Sequence, residues 1–268
     1  MSARRDRSSR RPELAQHFLR SKGLASSLVS QARLTNEDVV LEIGPGRGIL
    51  TGELAPRCRQ VIAVELDPRL CHELCSRFHD QAHVSIVEGD FLRYSLPDRT
   101  AYKVIGNIPF NLTAAIIQRL VNASTPPVDV FVIVQREAAE RFAGAPFAPE
   151  SLLSLLLKPW WQVEIARQLR RIDFDPPPRV DSALLWLARR TRPLIDASAA
   201  GAYRAFIDAC FGRTGATVDR CLRPYFTHRQ IRRLSRDLRF ETADRPSSLS
   251  FDQWLALFRF RTLEADRG

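Results

Sequence analysis

Short, mostly apolar runs alternate with helical patterns through the first half of the chain. Val39–Ile43 and Ala101–Ile105 read as buried parallel strands, Val61–Val64 and Val84–Val87 as further strands, and Val128–Val134 as one more β-rich run. Between them, 24–34, 49–55, 113–121 and 135–142 carry helical spacing, and Asp67-Pro68 supplies an N-cap and a first-turn proline for one more helix. Strands alternating with helices predict an α/β fold with a parallel, Rossmann-like sheet. Further on, 151–157 is strongly apolar and 161–172 reads as a strand. Phe174 to Ser182 holds three consecutive prolines that keep it extended before a strand at 183–187. From about Arg189 the pattern turns helical, over 199–210, 218–222, 229–238 and 251–260. The expected organisation is an Arg-rich tail at 1–13 that cannot pack, a catalytic α/β domain at 14–188 and a small all-helical domain at 189–268.

Chemistry-bearing residues collect at the carboxyl ends of the expected strands, where an open α/β sheet binds its ligand. After the first strand comes Gly44-Pro45-Gly46-Arg47-Gly48, a turn that lets backbone approach a ligand closely, and Glu42 just before it would shape the loop. The second strand ends on Glu65, followed by Leu66. A carboxylate there accepts hydrogen bonds from both hydroxyls of an adenosine ribose. The third leads to Asp90, an acceptor for an adenine amine, and to Phe91, which can pack beside the ring. This set suits a nicotinamide dinucleotide as well as S-adenosyl-L-methionine. The spacing G-x-G-x-G, rather than G-x-G-x-x-G, leans toward the second.

The fourth strand runs into Gly106-Asn107-Ile108-Pro109-Phe110. Asn107 offers a side-chain carbonyl, Ile108 and Pro109 offer backbone carbonyls on a proline-stiffened segment, and Phe110 offers a flat face. Together they suit the exocyclic amine of an unstacked nucleobase. Phe174 is a candidate second wall, or else a core residue. Cys71, Cys75 and His79 follow one another at helical spacing but lack zinc-ligand spacing, which favours buried cysteine over a metal site.

Charge changes the picture by adding a partner. The formal net charge is +10, and lysine occurs only at Lys22, Lys103 and Lys158, so the basicity is almost all arginine. An arginine excess fits a polyanion, with guanidinium forks for phosphate and faces for stacking on bases. Five cysteines without a C-x-x-C pair argue against a disulfide framework. The lack of a signal-type apolar segment or membrane span makes the cytoplasm the expected location.

Taken together, Glu42-Ile-Gly-Pro-Gly-Arg-Gly48, Ala63-Val-Glu-Leu-Asp67, Glu88-Gly-Asp90, Gly106-Asn-Ile-Pro-Phe110 and the Pro176-Pro-Pro-Arg-Val-Asp-Ser182 loop resemble the ribosomal RNA adenine N6-methyltransferases, the Erm and KsgA group. The resemblance runs from Gln16 to about Phe260. Asn-Ile-Pro-Phe followed by Thr113-Ala114-Ala115 is more like the Erm branch, which confers macrolide, lincosamide and streptogramin B resistance, than the housekeeping small-subunit enzymes. It implies S-adenosyl-L-methionine held by His17, Leu19, Gly44, Gly46, Glu65, Asp90 and Asn107, and one adenosine of 23S rRNA as substrate of a monomeric enzyme. His17 stands where the family often has Asn, touching the methionine carboxylate. A housekeeping dimethyltransferase and a non-catalytic nucleic-acid-binding factor are the alternatives.

Overall fold

The computed structural model describes residues 17–211 and 215–265, without the side chains of the last two. The expected tail at 1–13 lies outside the described residues. The strands are β1 (Phe18–Leu19), β2 (Val39–Ile43), β3 (Gln60–Glu65), β4 (Val84–Glu88), β5 (Lys103–Asn107), β6 (Asp129–Gln135), β7 (Trp161–Leu169), β8 (Phe174–Asp175) and β9 (Ser182–Arg189). The helices are α1 (Lys22–Gln31), α2 (Ile49–Leu54), α3 (Pro68–Arg77), α4 (Thr113–Val121), α5 (Arg136–Ala143), α6 (Leu152–Leu157), α7 (Ala200–Phe211), α8 (Val218–Leu222), α9 (His228–Leu238) and α10 (Phe251–Ala265). Seven strands form one sheet in the order β4-β3-β2-β5-β6-β9-β7, and β1 pairs with β8 in a separate two-stranded ribbon.

Two compact units divide the chain, and each is discontinuous. The first holds residues up to Pro127, then Phe131–Val134 and Leu169–Ser182; the second holds Val128–Val130, Gln135–Gln168 and everything from Ala183 onward. In the first unit β2 pairs in parallel with β3 and with β5, and β3 with β4. All five residues of β2 are buried, which is why it reads as a continuous apolar run with one carboxylate, Glu42. Strand order reverses between β2 and β5, and there the backbones come very close. Ile43 stands opposite Gly106, and a Cβ on residue 106 would sit 2.6 Å from the Ile43 carbonyl oxygen. At the opposite strand ends Lys103 Nζ meets Asp38 Oδ2 at 3.1 Å.

The second unit has its own aromatic core. Tyr203, Phe206 and Trp254 are wholly buried, with Phe206 packed edge-on against Trp254 and Tyr203 edge-on against Phe258. The Tyr203 hydroxyl donates to the Leu155 carbonyl at 2.9 Å, so its one polar atom is satisfied. Lys158 and Glu150 form a buried ion pair, and Ser154 Oγ donates to the second Glu150 oxygen at 2.6 Å.

Gly106→Ala is expected to cost roughly 1–3 kcal/mol, since the obstacle is main chain that cannot rotate away. Denaturant unfolding of the variant checks this; an unchanged midpoint would mean that β2 and β5 separate freely.

Candidate active site

A cleft opens at the carboxyl ends of β2, β3, β4 and β5, enclosing about 860 Å³ of empty space, its part open to solvent included. This is the crevice that a reversal of strand order creates in an open parallel sheet. Its floor starts from the turn after β2. Gly44 and Gly46 both have positive φ, 64° and 57°, which favours glycine. At Gly46 the space is also closed, because a Cβ would lie 2.7 Å from the Phe18 ring of β1. The Arg47 guanidinium lies 4.6 Å over the centroid of that ring and 3.7 Å from Asp175 on β8, so the ribbon is clasped to the turn.

Glu65 closes β3 and is 1% exposed. Its Oε2 accepts from Gly46 N–H and its Oε1 from Asp67 N–H, both at 2.9 Å. Two backbone donors thus fix the carboxylate while each oxygen keeps a lone pair for a ligand hydroxyl. Asp90 is half-open, its Oδ1 held at 2.8 Å by Leu92 N–H, and Phe91 is buried beside it. At the end of β5 the Asn107 amide nitrogen donates to the His17 carbonyl at 2.5 Å. Two oxygens would repel at that distance, so the nitrogen faces the carbonyl and Oδ1 is turned away from it. The His17 ring lies 5.8 Å from the Phe110 ring, and its Nδ1 donates to the Pro176 carbonyl at 2.8 Å.

Eleven of the expected site residues line this cleft: His17, Gly44, Gly46, Glu65, Leu66, Asp90, Phe91, Asn107, Ile108, Pro109 and Phe110. Three do not. Phe174, expected as a wall beside the base, is 0% exposed and stands opposite Leu19 in the β1–β8 ribbon, which uses up its surface in packing. Leu19, the direct partner of Phe174 in that pairing, is buried as well. Glu42 is wholly buried beneath the glycine turn, and neither of its oxygens nor the Thr51 hydroxyl completes a hydrogen bond of normal geometry. Burial pushes the Glu42 carboxyl up to about 8; nearby Thr51 opposes the rise and the Glu65 charge adds to it. Phe18 also lines the cleft and was not singled out, since a two-residue strand is too short to show a period; Ile43, Val64, Gly89, Leu92, Leu112 and Ile116 complete the lining.

The cleft fits S-adenosyl-L-methionine on its donor set. Among the described residues that line it there is no lysine or arginine, whereas it holds the carboxylates of Glu65 and Asp90. The Gly46 N–H, which a pyrophosphate would need, is already given to Glu65. Such a site disfavours a dinucleotide and suits a cationic sulfonium carrying an adenosine. Fold and cleft therefore define an S-adenosyl-L-methionine-dependent methyltransferase.

Comparison with known proteins narrows the class. Residues 7–262 match the family model "Ribosomal RNA adenine dimethylase", and the chain belongs to that family. An rRNA adenine N-6-methyltransferase of Streptomyces fradiae is 34% identical over 251 residues, covering 93% of this chain and 78% of that protein. A ribosomal RNA small subunit methyltransferase A of Rippkaea orientalis is 34% identical over 68% of this chain and 72% of its own length. The crystal structure of the 23S rRNA methyltransferase ErmE superposes with a TM-score of 0.84 at 30% identity, over 90% of this chain and 98% of that one.

The buried Glu42 has a consequence for stability. Its folded-state pKa lies above the unfolded value near 4.5, so it adds no penalty below that pH. From there up to about pH 8 the unfolded chain ionises it and the folded chain does not. Folding stability falls across that window, on the order of 1 kcal/mol per pH unit. Glu42→Gln is expected to flatten the fall, as seen by denaturant unfolding at pH 5, 6.5 and 8; parallel profiles for the two proteins would refute the neutral carboxyl.

Proposed function

We propose that the chain methylates N6 of one adenosine in 23S rRNA, using S-adenosyl-L-methionine, and thereby confers resistance to macrolide, lincosamide and streptogramin B antibiotics. It does so as a monomer in the cytoplasm. The observation that carries the chemistry is the fixed amide of Asn107: its nitrogen donates to the His17 carbonyl, which turns Oδ1 the other way, where it would accept from the reacting amine. Support for the large subunit comes from the likeness to ErmE over nearly the whole chain and from Asn107-Ile-Pro-Phe110 followed by Thr113-Ala114-Ala115.

The cofactor supplies an electrophilic methyl group on sulfur. The protein's part is positioning. Gly44 and Gly46 would leave room for the methionine moiety, Glu65 would hold the ribose, and Asp90 with Phe91 and Leu66 would hold the adenine. On the substrate side, an extruded adenine stacks on Phe110, while Asn107 Oδ1 and a backbone carbonyl of Ile108 or Pro109 accept its two amine hydrogens. Accepting both draws nitrogen toward tetrahedral geometry and frees a lone pair otherwise delocalised into the ring. The amine held in this way would take the methyl group that the cofactor would supply, the N–C bond forming as S–C breaks, and would then lose its surplus proton to solvent. In-line placement accounts for most of the rate. His17 serves mainly through its backbone carbonyl. With Nδ1 committed to Pro176, a neutral ring offers Nε2 only as an acceptor, so donation to the methionine carboxylate requires the imidazolium. The helical segment 189–268 is assigned to RNA contact.

Asn107→Ala should lower kcat by about 100-fold or more, since both the acceptor and its geometry go. The dissociation constant for S-adenosyl-L-methionine should shift by only a few-fold, because Glu65 and Asp90 remain. Full turnover in a folded, cofactor-bound variant would end this mechanism. Reverse-transcription mapping after reaction with each purified rRNA should place the modification on one large-subunit adenosine. A stop in small-subunit RNA instead would assign the chain to the housekeeping branch.

A further inference from the structure

Helix α9 is amphipathic in an unusual sense. Ile231 and Leu234 are buried, while Arg229, Arg232, Arg233 and Arg236 are all exposed. At 100° per residue those four arginines fall within an arc of about 100°, and Arg229 and Arg236 are about 10.5 Å apart along the axis. Arg239 follows at the C-cap, also exposed. Only one acidic residue, Asp237, shares the helix, and it pairs with Arg233 at 3.4 Å with both side chains largely exposed. Among the described residues no carboxylate lies within salt-bridge distance of Arg229, Arg232 or Arg236. Arg232 instead meets the His228 ring at 3.0 Å, and Arg236 donates to the Arg232 carbonyl at 3.4 Å.

Nothing in the folding of α9 asks for this arrangement. Arg229/Arg233 and Arg232/Arg236 are like charges at i,i+4, and Arg229/Arg232 and Arg233/Arg236 at i,i+3, spacings at which like charges destabilise a helix. Arg229 also puts a cation into the first turn, which has no acidic residue to offset it. The helix stands by other means: Thr227 and Gln230 form a reciprocal capping box, and the two apolar residues anchor it. A local rule broken without gain in stability points to a function.

We propose that the arginine face of α9 is a docking surface for the phosphate backbone of the RNA substrate, holding it without reading its sequence. Arginine rather than lysine suits this, since its planar fork takes phosphate oxygens bidentately. An A-form duplex hides its base edges in a narrow major groove and presents phosphates along the rims, so a helix lying on it contacts backbone. The proposal rests on the RNA substrate named above but not on the chemistry of the cleft.

The test is the full-length triple variant Arg229→Gln/Arg232→Gln/Arg236→Gln, titrated with an in-vitro transcript of large-subunit rRNA at several salt concentrations. A charge-matched control carries Arg33→Gln/Arg59→Gln/Arg99→Gln, three exposed arginines of the other unit that lie outside the cleft. Losing three phosphate contacts should weaken binding by about tenfold or more at physiological salt and lower the slope of log K against log salt by about 2–3. The control should bind nearly as the wild type does. S-adenosyl-L-methionine affinity should hold and the thermal midpoint should stay or rise, because repulsion is relieved. Equal losses in both triple variants, an unchanged salt slope, or a lowered thermal midpoint in the α9 variant would overturn the proposal, the last by showing a structural role. RNA binding is read separately from methyl transfer. A wild-type protein that binds RNA through this face but transfers no methyl group would refute the proposed function and leave the surface standing.

Discussion

The close approach of β2 and β5 is the constraint on which the site depends. Where the two strands end, the Ile43 carbonyl occupies the place that any side chain on residue 106 would need. Glycine at that position lets the following residue, Asn107, emerge beside the turn that begins at Gly44; a Cβ on Gly44 would lie 3.7 Å from the Asn107 carbonyl oxygen. The Gly44 turn and the Asn107 segment are therefore two sides of one backbone contact. The β1–β8 ribbon completes it from above. Phe18 fills the space left by Gly46, and the His17 carbonyl takes the amide hydrogen of Asn107. Removing either would leave the same residues present but not aimed.

Electrostatics separate two tasks by sign. The cleft carries two carboxylates and, among its described lining residues, no strong cation, which matches a sulfonium cofactor. The net charge of +10 is carried elsewhere, with α9 as its densest helical run of exposed arginines. Glu42 stays outside the cleft lining: burial pushes its carboxyl up to about 8, and the nearby Glu65 charge adds to the rise.

Much of this was legible in the sequence, for identifiable reasons. Strands β2, β3, β4 and β5 are short, mostly apolar runs with Gly44, Glu65, Asp90 and Asn107 at or just past their carboxyl ends, and those four residues line the cleft. Val39–Ile43 and Thr113–Val121 have the expected bounds, while the helix expected over 24–34 is shifted to Lys22–Gln31, started by the Ser21 cap. Phe174 reads as a wall of the site or else as a core residue, and the structure gives the core. The choice was not legible because its partner, Leu19, is more than 150 positions away and each belongs to a strand of two residues. Glu42 sits in a ligand motif by position and under it in space. The discontinuity of the two compact units had no signature either: it depends on long-range packing that periodicity does not report.

The central claim is that this cleft places a methyl group on the amine of an adenosine and nowhere else. Digesting labelled rRNA to nucleosides after reaction with methyl-labelled S-adenosyl-L-methionine tests it most directly. The account predicts that all label co-migrates with N6-methylated adenosines. Label in a ring-methylated base or in a ribose-methylated nucleoside would contradict it, because neither acceptor could use the geometry of Asn107.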